Sequence, residues 1–412
     1  MKVAILGYGK SGQSAEKLLR KYYQINEIVI YDDRLDEYES LINFNDALFD
    51  MVVVSPGLDT KSLQINEKKI VSEYELAINL IRDKKIIGIT GSNGKSTTTY
   101  LTAQLMNRAG IKSVACGNIG FPLGEAIQDD YDVYVVEFSS FQIDLMRNGE
   151  YLDAGVITNI TPDHLDRYGL LENYINSKLR LRKLLKCDGE LITGSSVAEM
   201  MDETEEIIII DETLEQYPKK DGNILNFRNF YVDLSKFSLI GSHNIINLSF
   251  ALSLANVFLD LNGDCTHLIE NLRGLPHRCE YLGEKNGIIF INDSKATNVD
   301  STFTALKGIT RPVVLLLGGK DKGGDFSKLT EVIQNKCRYV ICFGEHGLKI
   351  YDQLANVRDK ILVKNLFNAV ERAAEIAKKG DVVLLSPGCA SFDEFQNFEH
   401  RGDYFKELVE KL

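Results

Sequence analysis

The feature that constrains this chain most is an apolar run, Ile86-Ile87-Gly88-Ile89-Thr90, that leads directly into Gly91-Ser92-Asn93-Gly94-Lys95-Ser96-Thr97 and then into a helical stretch. A strand, a glycine loop and a helix in that order turn successive backbone N–H groups toward one point, which suits phosphate. In such a loop Lys95 reaches the terminal phosphates and the Ser96 hydroxyl sits on Mg²⁺. Ile89 stands where the strict pattern has its first glycine. The remaining elements still predict an ATP site, and with it a mostly parallel α/β sheet.

The rest of the chain alternates in the same way. KVAIL, EIVIY and MVVVS read as strands, with a helix expected from Gln13 to Lys21 and another from Glu73 to Ile81. Charged residues from Arg82 to Lys85 mark a first boundary. VYVVEF, AGVITNI, the isoleucines from Ile207 to Ile210 and a helix from His243 to Leu259 fill a second segment, closed by Gly274-Leu275-Pro276. GIIFIN, VVLLLGG, YVICFG and VVLLSPG follow. At 412 residues this predicts three α/β domains, 1–84, 85–274 and 275–412.

Charge and composition exclude several classes. The net charge of −12 argues against broad attraction to nucleic acid or anionic membrane. No apolar stretch has the length of a signal peptide or membrane span, so a cytoplasmic protein is expected. The seven cysteines are scattered singly, as reduced thiols would be.

Four further groups carry chemistry. Gly7-Tyr8-Gly9-Lys10-Ser11-Gly12 follows a strand, and Asp32 comes twenty residues after Gly12. This is the geometry for a pyrophosphate at a helix N-terminus with a ribose hydroxyl on the carboxylate. NAD is the default ligand, but a segment half the size of a dinucleotide fold suits a single nucleotide diphosphate better. Glu137 ends an apolar strand, where a carboxylate needs a partner or a metal. His164 lies among Asp163 and Asp166 beyond another strand. In the last segment, Arg278, Asp293, Lys295, Thr297, Lys320, Lys322 and Ser391 gather mostly at strand ends, as in a site for carboxylate or phosphate.

Taken in order, GSNGKST, GNIG, EFSSFQ, NITPDHLDRY, GSHNIINLSFA, GLPHR, INDSKATN and SPGCASFDEF resemble the Mur ligases. The similarity runs from residue 3 to about residue 405, and is strongest to the member of that family that adds D-glutamate to UDP-N-acetylmuramoyl-L-alanine. It implies a Rossmann-like UDP-binding domain, a central P-loop-type ATPase and a C-terminal Rossmann-like domain. The implied reaction is an ATP-dependent amide ligation through acyl-phosphate and tetrahedral intermediates. The protein would be a monomer acting on small molecules in cytoplasmic peptidoglycan precursor synthesis, with no nucleic acid, no membrane insertion and no NAD.

Carried onto this sequence, the resemblance gives each candidate a role. The UDP-muramoyl substrate falls to Lys10, Ser11, Gly12, Asp32, Asp33, Arg34, Asn118, Ser139 and Gln142. ATP falls to the loop from Gly91 to Thr97, with Asn244, Asn247, Arg278 and Asp293. Two Mg²⁺ sites are implied, one on Ser96 and Glu137, the other on His164 and a carbamylated Lys178. Lys95, His164, Lys178 and Lys295 are the catalytic candidates, and Thr297, Lys322, Ser391, Phe392 and Phe398 the D-glutamate pocket. From its composition alone, Lys178 reads as part of an ordinary basic helix face.

Overall fold

The computed structural model describes residues 1–58, 63, 65–201, 207–239, 241–320 and 323–412. They form two compact units, one of Met1–Lys236 with His243–Glu270 and one of Phe237–Ser242 with Asn271–Leu412.

The first unit carries two parallel sheets. Strands β1 (Lys2–Leu6), β2 (Glu27–Tyr31), β3 (Met51–Val54) and β4 (Ile70–Val71) are ordered β2-β1-β3-β4. The chain leaves β1 toward one side and returns past it to β3, so a crevice opens at their carboxyl ends, where such sheets take ligands. The glycine loop lies there, ahead of a helix at Lys10–Tyr22. Strands β5 (Lys85–Thr90), β6 (Ser113–Gly117), β7 (Val133–Glu137), β8 (Leu152–Ile157), β9 (Leu185–Gly194) and β10 (Ile208–Ile210) are ordered β10-β9-β8-β5-β7-β6, again all parallel. The P-loop therefore leaves the centre of this sheet, flanked by the ends of β7 and β8.

The two sheets share one core. Val3, Ile5 and Leu18 belong to the same buried cluster as Tyr74, Phe138 and Leu152, while Ala4, Leu6 and Val54 pack on the opposite face of the first sheet. Between them lies the helix Glu73–Ile78, all six residues of which are buried. It was expected to run to Ile81; it ends at Ile78 because Asn79–Ile81 turn toward β5, with Lys84 N–H bonded to Ile81 O. A smaller sheet, β11 (Lys219–Asp221), β12 (Ile224–Asn226), β13 (Phe230–Asp233) and β14 (Gly263–Asp264), and the expected helix, observed at Ser242–Leu259, complete the region.

In the second unit β15 (Glu280–Lys285), β16 (Ile288–Asn292), β17 (Val313–Gly318), β18 (Cys337–Phe343), β19 (Lys360–Leu362) and β20 (Val382–Leu385) are ordered β15-β16-β20-β17-β18-β19. Both faces are buried: Ile289, Ile291, Leu315 and Leu317 on one, Ile288, Phe290, Val314 and Leu316 on the other. Only β15 runs antiparallel, joined to β16 by Asn286-Gly287, both at positive φ. That Asn-Gly pair is a hairpin signal the alternating pattern had hidden. Among the described residues, no helix is long and apolar enough to cross a membrane.

Candidate active site

The P-loop is braced from behind by the segment after β8. Ser92 N–H donates to Asn159 O at 2.8 Å, Asn93 N–H to Asn159 Oδ1 at 2.9 Å, and Thr158 Oγ1 to Asn93 O at 2.6 Å. Gly91 has φ +145°, and a Cβ there would lie 1.9 Å from Thr158 Oγ1; at Gly94 (φ +82°) it would lie 2.3 Å from Asn247 Oδ1. Only glycine lets the loop pass so close to both neighbours. The sequence names Asn247 as a site residue and places Thr158 and Asn159 at the head of the run after an apolar strand, but gives them no role toward the loop, because β8 lies beside β5 only in the fold.

Two lysines converge on this loop. Lys95 Nζ donates to Gly91 O and Ser92 O, both at 2.9 Å, and Lys178 Nζ to the same Gly91 O at 2.7 Å. Lys178 is buried against Tyr174, its Nζ 4.7 Å from the ring centroid. Burial, and then the charge on Lys95, lower its pKa to about 7. The exposed basic face read from composition is corrected here: the helix Leu171–Leu179 turns Lys178 inward.

Glu137, at the end of β7, is buried. Asn118 Nδ2 donates to its Oε1 at 2.7 Å, and Oε2 is buried with no hydrogen-bond partner among the described residues. An orphaned buried carboxylate oxygen fits a hard divalent cation, and Mg²⁺ needs few protein ligands when phosphate and water supply the rest. His164 sits at φ +51°, its ring 5.0 Å from that of Phe141 and its Nε2 3.5 Å from Asp163. No cluster of three or more His, Cys, Asp or Glu side chains poised for a metal occurs among the described residues.

A cavity of about 520 Å³ collects many of the candidates: Lys10, Ser11 and Arg34 from the first sheet, and Lys95, Asn118, Ser139, Gln142, His164 and Lys178 from the second. Some predicted residues also have partners within the fold. Asp32 is buried, accepting from Tyr8 N–H at 2.7 Å and from Arg34 through Nε and Nη2 at 3.0 and 2.8 Å, and Arg34 holds it well below the usual carboxylate range. It shapes the glycine loop. Asp33 accepts from Ser40 and Leu41 N–H. Gly12 is buried, and a Cβ there would meet Gly7 O at 2.2 Å. Ser139 and Gln142 form a reciprocal capping box on the helix Ser140–Leu145 while still facing the cavity.

In the second unit Asp293 is buried at the end of β16, taking hydrogen bonds from Ser386 Oγ (2.7 Å) and Cys279 N–H (3.1 Å), and burial raises its pKa to about 6. Lys295 Nζ lies 5.5 Å from the Phe398 ring centroid. Ser391 is buried, Thr297 half-buried, Phe392 63% exposed, and Arg278 exposed. Lys320 pairs through its backbone with Ala390. Lys322 lies outside the described residues. Sequence reasoning missed Arg401. Fully buried, it donates to Ser294 Oγ and O, Ala390 O and Cys389 O, tying the turn after β16 to the turn after β20. On the sequence it is one more charge on an amphipathic helix, Phe398–Glu410.

A P-loop at the centre of a parallel sheet, beside a second glycine loop and a buried carboxylate, defines an α/β protein that handles nucleotide phosphates. Residues 89–255 match the Mur ligase middle domain, and residues 277–389 the Mur ligase glutamate ligase domain. The chain is 33% identical over 451 positions to the UDP-N-acetylmuramoylalanine–D-glutamate ligase of Caldicellulosiruptor saccharolyticus, covering 100% of this chain and 99% of that one. It is 36% identical over 427 positions to the protein of the same name from Francisella tularensis subsp. novicida (100% and 96%). The UDP-N-acetylmuramate–alanine ligase structure of Thermotoga maritima shares the fold at a TM-score of 0.57 and 16% identity (100% and 99% covered). The MurF ligase of the same organism, solved with ADP, does so at 0.57 and 17% (93% and 95%). This chain belongs to the Mur ligase family.

Proposed function

We propose that this chain joins D-glutamate to UDP-N-acetylmuramoyl-L-alanine in an ATP-dependent reaction of peptidoglycan precursor synthesis. ATP is the co-substrate. The observation that carries the reading is the cavity in which the glycine-loop side chains Lys10, Ser11 and Arg34 meet Lys95, Asn118 and Lys178 around the P-loop. It suits one anionic substrate reaching from the first sheet toward a nucleotide triphosphate on the second.

The acceptor's carboxylate is a poor electrophile because its leaving group would be oxide. Attack of that carboxylate on the γ-phosphate of ATP forms the acyl phosphate and breaks the bond to ADP. The amine of D-glutamate then adds to the acyl carbon, and the tetrahedral intermediate expels phosphate and leaves the amide. The chain's own task is placement and charge. Lys95, released from Gly91 O and Ser92 O, would neutralise the transferring oxygens, while the loop N–H groups hold the rest. Glu137 and Ser96 would hold one Mg²⁺, and His164 with Lys178, once carbamylated, a second. When bound, magnesium offsets charge on the phosphoryl oxygens. The depressed Lys178 supports the carbamate, because CO₂ adds only to the neutral amine.

In the second unit Thr297, Ser391, Phe392 and Phe398, on the turns that Arg401 joins, would receive D-glutamate together with Lys322 and Lys295; Arg278 and Asp293 would meet the nucleotide. Asn244 and Asn247, 3.3 Å apart, would border the adenine. The proposal includes domains at 1–84, 85–274 and 275–412, and a monomer acting in the cytoplasm. The test is phosphate release from ATP. It should require UDP-N-acetylmuramoyl-L-alanine and D-glutamate together and fail with L-glutamate; release with other amino acids, or none with any acceptor, overturns the reading.

A further inference from the structure

Glu73 belongs to none of the motifs above, yet it is among the most deeply enclosed carboxyl groups of the first unit, 3% exposed. Its Oε1 accepts from Ser14 Oγ at 2.8 Å and from Gly124 N–H at 2.6 Å, and its Oε2 is buried with no hydrogen-bond partner among the described residues. A leucine or methionine would fill this space without the cost of enclosing a carboxyl group, so stability alone does not account for a glutamate there. Three elements meet at the side chain. Ser14 lies on the helix Lys10–Tyr22, about 4.5 Å along the axis from Ser11 at the cavity wall. Gly124 lies in the short helix Leu123–Ala126, six residues beyond Asn118, the residue hydrogen-bonded to Glu137. Glu73 itself starts the buried helix Glu73–Ile78.

Gly124 independently marks how tightly they meet. A Cβ at that position would come within 2.5 Å of Leu18 Cδ1, 2.6 Å of Ser14 Oγ and 2.7 Å of Glu73 Oε1. Two further contacts, Lys17 with Glu125 at 2.9 Å and Lys21 with Gln128 at 2.5 Å, follow the same seam on the exposed rim, where solvent weakens them. Glu73 is the enclosed contact of this seam, accepting from the helix that carries Ser11 and from the segment beyond Asn118.

We infer that Glu73 is a positioning residue for the acceptor: it aligns the half-site on the first sheet with the half-site on the second, so that one UDP-linked substrate spans both. The inference rests on the function proposed above. It separates ligands by length. UDP alone touches one half and ATP the other, so neither senses the alignment, whereas the whole acceptor does.

The experiment compares wild type with Glu73→Ala, Glu73→Gln and Ser14→Ala, measuring calorimetric affinity for UDP, for a non-hydrolysable ATP analogue and for UDP-N-acetylmuramoyl-L-alanine, together with KM and kcat. Glu73→Ala should weaken the acceptor about tenfold, the size of a lost buried hydrogen bond, with UDP and the analogue within about twofold. Glu73→Gln, which keeps an accepting oxygen, should recover much of that loss. Ser14→Ala, a smaller change that covers the case of Glu73→Ala failing to fold, should weaken the acceptor about threefold. Equal weakening of all three ligands, or unchanged acceptor affinity in Ser14→Ala, overturns the inference. Failure of wild type to bind UDP would instead remove the functional reading on which it stands.

Discussion

Lys178 Nζ donates to the carbonyl oxygen of Gly91 at 2.7 Å, so a buried amine on one helix reads the first residue of the phosphate loop directly. Lys95 donates to the same oxygen, and the two nitrogens compete to carry charge in one small space. Burial and this neighbour bring Lys178 to about 7, against 10.5 for an exposed lysine.

At pH 7.5 most of the Lys178 side chain is then neutral and able to add CO₂, where an ordinary lysine would present about one amine in a thousand. Turnover should fall in CO₂-depleted buffer and return on adding bicarbonate. Lys178→Arg, charged at every accessible pH, should lose at least about a hundredfold in kcat and ignore bicarbonate. A bicarbonate-insensitive wild type would exclude the carbamate.

Glu137→Gln preserves the shape and the oxygen that Asn118 reaches but removes the negative charge. The magnesium concentration giving half-maximal rate should rise at least about tenfold, since an oxygen ligand is neutralised while its setting is kept. A magnesium titration of initial rates measures this directly, and an unshifted midpoint would remove Glu137 from the metal site.

Arg401 joins two turns of the proposed D-glutamate pocket through four hydrogen bonds. Arg401→Met fills similar space but leaves those acceptors buried and unpaired, a loss of about 2–4 kcal/mol in denaturant unfolding. Milder Arg401→Lys should keep the fold and raise KM for D-glutamate more than KM for ATP.

Asp293 gives a pH dependence of definite sign. Its folded pKa, about 6, lies above the reference value of 3.8, so its contribution to stability is complete below about 3.8 and is lost as pH rises through 6. Asp293→Asn should therefore be more stable than wild type at pH 8, by about 3 kcal/mol, with the gap about half closed at pH 5 and gone only as pH falls below about 4. Thermal unfolding across that range checks it. The same variant should lose ligase activity, because the proposed nucleotide contact needs the charge.

Strands β1–β3, β5, β7, β8, β10, β16–β18 and β20 and both glycine loops are legible because their signals are local: apolar runs bounded by glycine, and a Lys-Ser-Thr triplet opening a helix, depend on neighbours a few residues away, whereas β4, β6, β9, β11–β15 and β19, short or broken by polar residues, are not. The helix Lys10–Tyr22 is legible over Gln13–Lys21, where Ala15, Leu18 and Leu19 make an apolar face, but not over its first turn, which begins inside the glycine loop. The hairpin at Asn286-Gly287 carried a legible mark that went unread amid the parallel pattern. Asp32 reads as facing a ribose because its place after β2 matches that role; its hydrogen bonds from Tyr8 and Arg34 are visible only in the folded chain.

By itself, then, the order of residues determined the α/β class, the position of the phosphate loop and which charges stand at strand ends. Tertiary structure alone decided that Lys178 faces inward, that Arg401 and Glu73 are enclosed, and that Thr158 and Asn159 brace a loop more than sixty residues away. Burial and the identity of a distant partner depend on which strands become neighbours. No window along the chain contains that information, and the cost of enclosing a charge appears only once the chain has closed around it.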